Sequence, residues 1–375
     1  MTLGITPGDR TAEKPVNGHG VAQLNGVRLR VETPTPDVLG SVLGMLVPAC
    51  SVASPDVVAQ WTLKVEERGP EVEDGGGLFD GRLVLELPYG GRRLAVVGAD
   101  DGVLRVAACY RPGATPVVME VDSRQQVTRL VVTPGDGLGL RWADYLGRVF
   151  FASRLLASGW RMLHASAVAV DGVALVFLAG RHGGKSTLAH RAVRELGARF
   201  LADDLVLIGP DGTVVGWPTR IAVPAELVGD WDGNFDGGRR EHTVVASVRR
   251  DRVLFTPAQH RAALGIAYSP PVPLGAVVIV DGDEASGEGV RADAGMLQRA
   301  VTRAAHVPQQ LLYVSDPLGL MGGARLADQV AGAGQLKGLM SGVPAAVLRV
   351  AVEHLRSAPV WRALEDVIPG TGGGR

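Results

Sequence analysis

In Ala179-Gly180-Arg181-His182-Gly183-Gly184-Lys185-Ser186 a glycine-rich loop joins an apolar run, Val173 to Leu178, to an amphipathic one, Leu188 to Leu196. Strand, glycine loop and helix in that order form the setting in which a short pattern points to phosphate binding. Backbone N–H groups curl around phosphate oxygens there, and the helix N-terminus adds partial positive charge. Lys185 is then placed to reach β- and γ-phosphates, and the Ser186 hydroxyl to meet Mg²⁺. The first position of the pattern is Ala179, where positive φ is unfavourable, in place of glycine. A Gly-rich turn alone says little in a chain with 51 glycines. The lysine says more, because the chain has only Lys14, Lys64, Lys185 and Lys337. Residues Ala179 to Ser186, with Thr187, make up the expected nucleotide-binding set.

Immediately upstream stands Met162-Leu-His164-Ala-Ser-Ala-Val-Ala-Val170-Asp171-Gly172. Asp-Gly between two apolar runs is a hairpin signal. It puts His164 on a strand antiparallel to the one that feeds the loop, and symmetric pairing brings His164 opposite Ala179. Downstream, Gly197 fits a helix stop. Arg199 to Ile208 then reads as a buried strand with two adjacent carboxylates, Asp203 and Asp204, inside it. Two acids among apolar residues are costly to bury unless something cationic meets them. Neighbouring strand residues face opposite ways, so one acid can hold Mg²⁺, directly or through water, while the other aims elsewhere. Charge neutralisation by metal and a base for a hydroxyl proton are the two tasks of phosphoryl transfer.

Further on, Gly209-Pro-Asp-Gly212 is a turn and Trp217 to Pro224 resumes as strand. Arg220 is a candidate for a substrate phosphate or carboxylate. Arg239, Arg240, Arg249, Arg250 and Arg252 flank an expected strand, Thr243 to Val248. That patch fits an acidic peptide or a transferring group, or else a solvated face. Phe255-Thr-Pro-Ala-Gln opens a capped helix. Leu274 to Val280 reads as strand, ending in an acidic loop from Asp281 to Glu288. Leu297 to Ala305 and Leu326 to Met340 read as helices, and Ala345 to Val352 as a last strand before a short helix.

The N-terminal part has a different texture. Val27 to Val31, Trp61 to Glu67, Arg82 to Leu87, Arg93 to Val97, Val103 to Tyr110, Val117 to Val121 and Val127 to Val132 alternate or run apolar between Gly, Asp and Pro clusters. One helix, Asp37 to Leu46, interrupts them, and Gly69 to Asp80 reads as a solvated loop. An antiparallel β-rich unit follows. From Leu138 to Trp160 the period becomes helical. The expected organisation is a disordered tail (1–20), a β-rich domain (21–136), a linking helix (137–160) and an α/β phosphate-loop domain (161–370).

A formal net charge of −1 offers no field for nucleic acid or anionic membrane. No apolar run reaches membrane-span length. Cys50 and Cys109 make no disulfide framework and sit in apolar surroundings, which fits core positions in a reduced, cytoplasmic protein. The first residues lack the apolar segment of a signal peptide.

His164-Ala-Ser-Ala-Val, the loop Ala179 to Ser186 and the Asp203-Asp204 pair together resemble HPr kinase/phosphorylase and its kinase-like relatives, over roughly His164 to Val223. The resemblance implies a phosphate-loop domain of the phosphoenolpyruvate-carboxykinase type, with ATP and Mg²⁺ as cofactors. It implies that His164 assists near the γ-phosphate and that Asp203 is the base, acting as acid in the reverse direction. Asp204 would help to hold His164 or, with Ser186, the metal. Thr187 stands where the family has Glu, and neither the N-terminal unit nor a Gly-rich protein-substrate signature matches. The chain looks more like the branch found with peptide natural products, lasso peptides included, which phosphorylates a precursor-peptide serine. The implied activity is a serine kinase acting on a peptide or protein. A small-metabolite hydroxyl kinase, or a nucleotide-dependent non-catalytic partner, are the alternatives, and a homo-oligomer is left open.

Overall fold

The computed structural model describes residues 18–47, 49–68, 84–86, 92–111, 114–224, 252–282, 286–310, 318–319, 333–340 and 342–368. The chain is mixed α/β, with two nine-stranded sheets. The expected loop at 69–80, the strand at 243–248 and Arg239, Arg240, Arg249 and Arg250 lie outside the described residues.

The first sheet takes β1 (Gly18–Leu24), β2 (Val27–Thr33), β3 (Ser51–Ala53), β4 (Trp61–Glu67), β5 (Val84–Glu86), β6 (Arg93–Asp100), β7 (Val103–Cys109), β8 (Val117–Asp122) and β9 (Val127–Val132). Helix α1 (Pro36–Leu46) lies between β2 and β3. Strand order is β3-β1-β2-β4-β9-β8-β7-β6-β5. The all-antiparallel expectation is corrected here, because β4 pairs in parallel with both β2 and β9. The connection through α1 carries the chain across the sheet from β2 to β4, which a tight turn cannot do. The tail expectation is corrected too, since β1 begins at Gly18. Strand β4 alternates buried and half-buried residues, as its sequence requires. The α1 side chains Val38, Val42, Met45 and Leu46 recur at helical spacing and form its buried face.

Helix α2 (Gly137–Ala157) starts where the Asp136 carboxylate accepts from Leu138 N at 2.9 Å. Expected as a linker, it is interior on most of its faces. Trp142, Tyr145, Phe150 and Phe151 share one apolar core with Leu29, Leu63 and Leu130 of the first sheet and with Met162, Leu205, Leu207 and Trp217 of the second region.

The second sheet contains β10 (Arg161–His164), β11 (Ser166–Val170), β12 (Val173–Leu178), β13 (Arg199–Ala202), β14 (Leu205–Ile208), β15 (Thr213–Gly216), β18 (Val272–Asp281), β19 (Gly289–Arg291) and β20 (Ala345–Arg349). A separate ribbon pairs β16 (Ile221–Pro224) with β17 (Arg252–Phe255). The path β10-β14-β15-β18-β12-β11-β13 has β20 alongside β18. Helix α3 (Lys185–Leu196) shares a core with β11, β12 and β18 through Leu188, Val168, Phe177 and Val278. Helices α5 (Ala294–Gln310) and α6 (Ala333–Met340) share another with Leu163, Val176 and Val277. Two further helices are α4 (Pro257–Leu264) and α7 (Val360–Glu365). Helix α4 opens with a capping box from Thr256 and Gln259, as its sequence predicts. The expected helix from Leu326 is described only over α6.

Among the described residues, no helix is long and apolar enough to cross a membrane. Cys50 and Cys109 are buried free thiols, in keeping with their surroundings in the sequence, and burial pushes the Cys50 thiol up.

Candidate active site

The Asp171-Gly172 hairpin forms as expected. Both residues take positive φ, 48° and 82°, and β11 pairs with β12 from Ser166↔Phe177 to Val170↔Val173. The position of His164 differs from the expectation. The ladder with β12 stops at Ser166, and His164 belongs to β10, opposite Leu205 of β14. Asp203 and Asp204 are likewise not inside a strand but at a break between β13 and β14. The two breaks stabilise each other. Ala165 N donates to the Asp204 carbonyl at 3.1 Å, and the Ser166 hydroxyl donates to the Asp203 carbonyl. Each strand changes partner at this level, and His164 is delivered to Asp204 instead of Ala179.

The consequence is one edge where the expected groups gather. Strand β11 is antiparallel to both β12 and β13, so those two run parallel and end on the same side. Ala167 faces Val176 on one side and Ala202 on the other. Ala202 is thus level with Val176 at two strand spacings, about 10 Å. The glycine loop leaves just past the end of β12 and Asp203 just past the end of β13. Carboxyl ends of parallel strands are where α/β sheets bind ligands.

In the loop, Gly183 N donates to the Gly180 carbonyl at 3.1 Å. A Cβ on Gly183 would come within 2.7 Å of Ala179 Cβ, and one on Gly184 within 2.0 Å of Leu355. Gly184 has φ 86° at the N-cap of α3 and His182 has φ 62°. The left-handed positions are therefore 182 and 184, and Ala179 needs none. Lys185 is buried, and its ammonium donates to the carbonyls of Ala179 and Gly180 at 3.2 and 3.0 Å. Arg181 and His182 are exposed, and Ser186 and Thr187 are half-buried.

His164 Nε2 lies 3.1 Å from Asp204 Oδ1. Asp203 is buried, and its Oδ2 accepts from Ala222 N at 3.3 Å. Its Oδ1 is buried with no hydrogen-bond partner among the described residues. Asp203 lines a small cleft of about 20 Å³ with Ala49, Phe200, Trp217, Pro218 and Tyr268. Arg220 meets Asp144 of α2 at 3.7 Å, and burial raises the Asp144 carboxyl to about 6 against the pull of Arg148, Arg220 and Arg141. Arg220 is thus tied to the helix at the sheet interface as well as lying two residues from Ala222. Arg252 opens β17, and its side chain is outside the described part. Among the described residues, no group of three or more His, Cys, Asp or Glu side chains could hold a metal.

Several residues around the loop carry no signal in the sequence. Arg191 of α3 donates to the Leu355 and Ala358 carbonyls and forks onto Glu195, which also accepts from Trp361 Nε1 at 2.7 Å. Burial opposes the Glu195 charge, but the bonds from Arg191, Trp361 and Arg194 outweigh it and hold the carboxyl below its usual range. This network clamps the 350–361 segment beside the loop. His190, His260 and Tyr268 form a second network that only the fold brings together.

No protein-family model and no curated protein matches this chain. Its function therefore rests on the chemistry of this edge.

Proposed function

We propose that the chain is an ATP- and Mg²⁺-dependent kinase that moves the γ-phosphoryl group to a serine hydroxyl of a peptide or protein. The observation that carries this is Asp203. A buried carboxylate oxygen without a donor is costly to keep. Such a group beside a glycine loop and a histidine–carboxylate pair suits a proton acceptor.

The residues fit a nucleotide with its cation. Gly183 and Gly184 pack where a Cβ would strike Ala179 or Leu355, which keeps the loop tight; Lys185 stands at the helix start, and its bonds to loop carbonyls are ones a phosphate can replace. Ser186 and Asp204 would hold Mg²⁺, which binds through few protein ligands and leaves the rest of its shell to phosphates and water. When bound, the cation supplies charge neutralisation on the phosphates. Lys185 and the loop N–H groups stabilise charge on the transferring group. Asp203 Oδ1 accepts the proton of the acceptor hydroxyl. Asp204 orients His164, whose ring faces the same edge.

The cleft beside Asp203 supports a peptide acceptor over a charged metabolite. Among the described residues Asp203 is the one charged residue in its lining, and the walls include Phe200, Trp217, Pro218 and Ile221. Resemblance to peptide-tailoring kinases makes a precursor peptide encoded nearby the first acceptor to try. Incubation of the full chain with ATP, Mg²⁺ and serine-containing peptides should add a phosphate to the peptide mass. ADP formed only with free sugars or amino acids would overturn the peptide acceptor, and no ADP with any acceptor would overturn the kinase.

A further inference from the structure

Helix α3 carries a histidine that the loop chemistry does not use. His190 is buried, and its Nδ1 lies 2.7 Å from the Ser186 carbonyl. A carbonyl only accepts, so Nδ1 carries the proton. The other ring nitrogen of His190, Nε2, lies 3.0 Å from Nε2 of the fully buried His260. His260 Nδ1 in turn lies 2.8 Å from the Tyr268 hydroxyl. Burial, with His190 adding, pushes His260 down to about 2. Burial, with Asp203 adding, pushes the Tyr268 phenol up. The contacts run without a gap from Tyr268 to His260 to His190 to Ser186. Its far end lies in the cleft wall beside Asp203.

We infer that His190, His260 and Tyr268 are positioning residues for the phosphoryl-transfer site, a role that rests on the kinase proposal above. They hold the Ser186 carbonyl, and with it the first turn of α3, in register with the Asp203 cleft. Residues 180–182 are exposed, and the Lys185 ammonium holds the carbonyls of Ala179 and Gly180 by bonds that phosphates can replace, so that part can rearrange around phosphates. Ser186 cannot follow without leaving a buried imidazole N–H unmet. The chain therefore presets the Ser186 hydroxyl for the cation that accompanies the nucleotide, and contributes to the cation-dependent part of nucleotide affinity.

The test measures ADP affinity of the full chain by calorimetry, with excess Mg²⁺ and with a chelator. His260→Leu removes the middle link and should weaken ADP binding about tenfold with Mg²⁺, the scale of lost support behind a metal ligand, while changing it less than about twofold with chelator. His260→Gln keeps a hydrogen-bonding group against His190 Nε2 and should restore most of the affinity. Tyr268→Phe should give the same Mg²⁺-selective pattern, more weakly. Equal losses under both conditions, or none, overturn the positioning role and leave the kinase proposal standing. A wild-type chain that binds ADP under neither condition overturns both. Should His260→Leu fail to fold, the other two variants decide, together with ¹⁵N shifts of the wild-type histidines. Those shifts must show a proton on Nδ1 of His190, and an unprotonated Nδ1 overturns the chain.

Discussion

The two sheets use the same kinds of strand to different ends. In the first, β7, β8 and β9 pair without a register shift, and the buried Trp61 indole N–H meets the buried Thr128 hydroxyl at 2.9 Å. In the second, β10/β11 and β13/β14 break at the same level, and Asp203 Oδ1 stays buried without a donor among the described residues. An unbroken ladder sends successive side chains to opposite faces. A broken one lets backbone groups bind across the gap and gathers His164, Asp203 and Asp204 at one edge. The first arrangement favours stability, and the second gives some of it up by leaving a buried carboxylate oxygen unmet.

Substitutions at that edge should break this contrast most strongly. Lys185→Ala removes the ammonium from the loop and should lower phosphate transfer about 10³-fold, followed by peptide mass. Wild-type rates would mean that the loop is not the site. Asp203→Asn should lower kcat about 10²-fold while nucleotide affinity holds. Asp204→Asn weakens the contact with His164 and should cost about tenfold in kcat, the scale of one charge-assisted hydrogen bond. An equal loss in both Asn variants would end the division of labour drawn between the two acids.

The first sheet should answer in the opposite way. Thr128→Val leaves the Trp61 N–H buried without its acceptor and should cost about 1–2 kcal/mol in stability with turnover unchanged. Between the sheets, Asp144 should show in the pH dependence. Its folded pKa of about 6 lies above the ordinary 3.8, so the folded state keeps a proton that the unfolded chain releases. Its contribution to stability therefore falls as pH rises from 3.8 towards 6, and stays low above that. Asp144→Asn should flatten that slope in unfolding measured across this range.

Much of this was legible in the chain. Trp61 to Glu67 and Val127 to Val132 match their strands because one buried face forces alternation. Asp171-Gly172 and Gly197 mark their turn and helix end because few residues take positive φ. The parallel pairing of β4 was not legible, since a half-buried strand alternates the same way beside either kind of neighbour. Nor were the breaks: apolar residues continue on both sides of Ala165 and of Asp203-Asp204, so nothing interrupts the pattern. His164 was expected opposite Ala179, but it reaches Asp204 through a change of strand partner. His190 and His260 stand 70 residues apart, and only the packing of α4 near α3 brings the rings together.

Helix α2 serves as interior to both sheets at once. Its two neighbours cannot pivot about it as clamshell halves do, because rotation would shear Trp142, Phe150 and Phe151 out of a close-packed fit. Neither half of the chain could therefore be cut away without stripping the other of an inner wall.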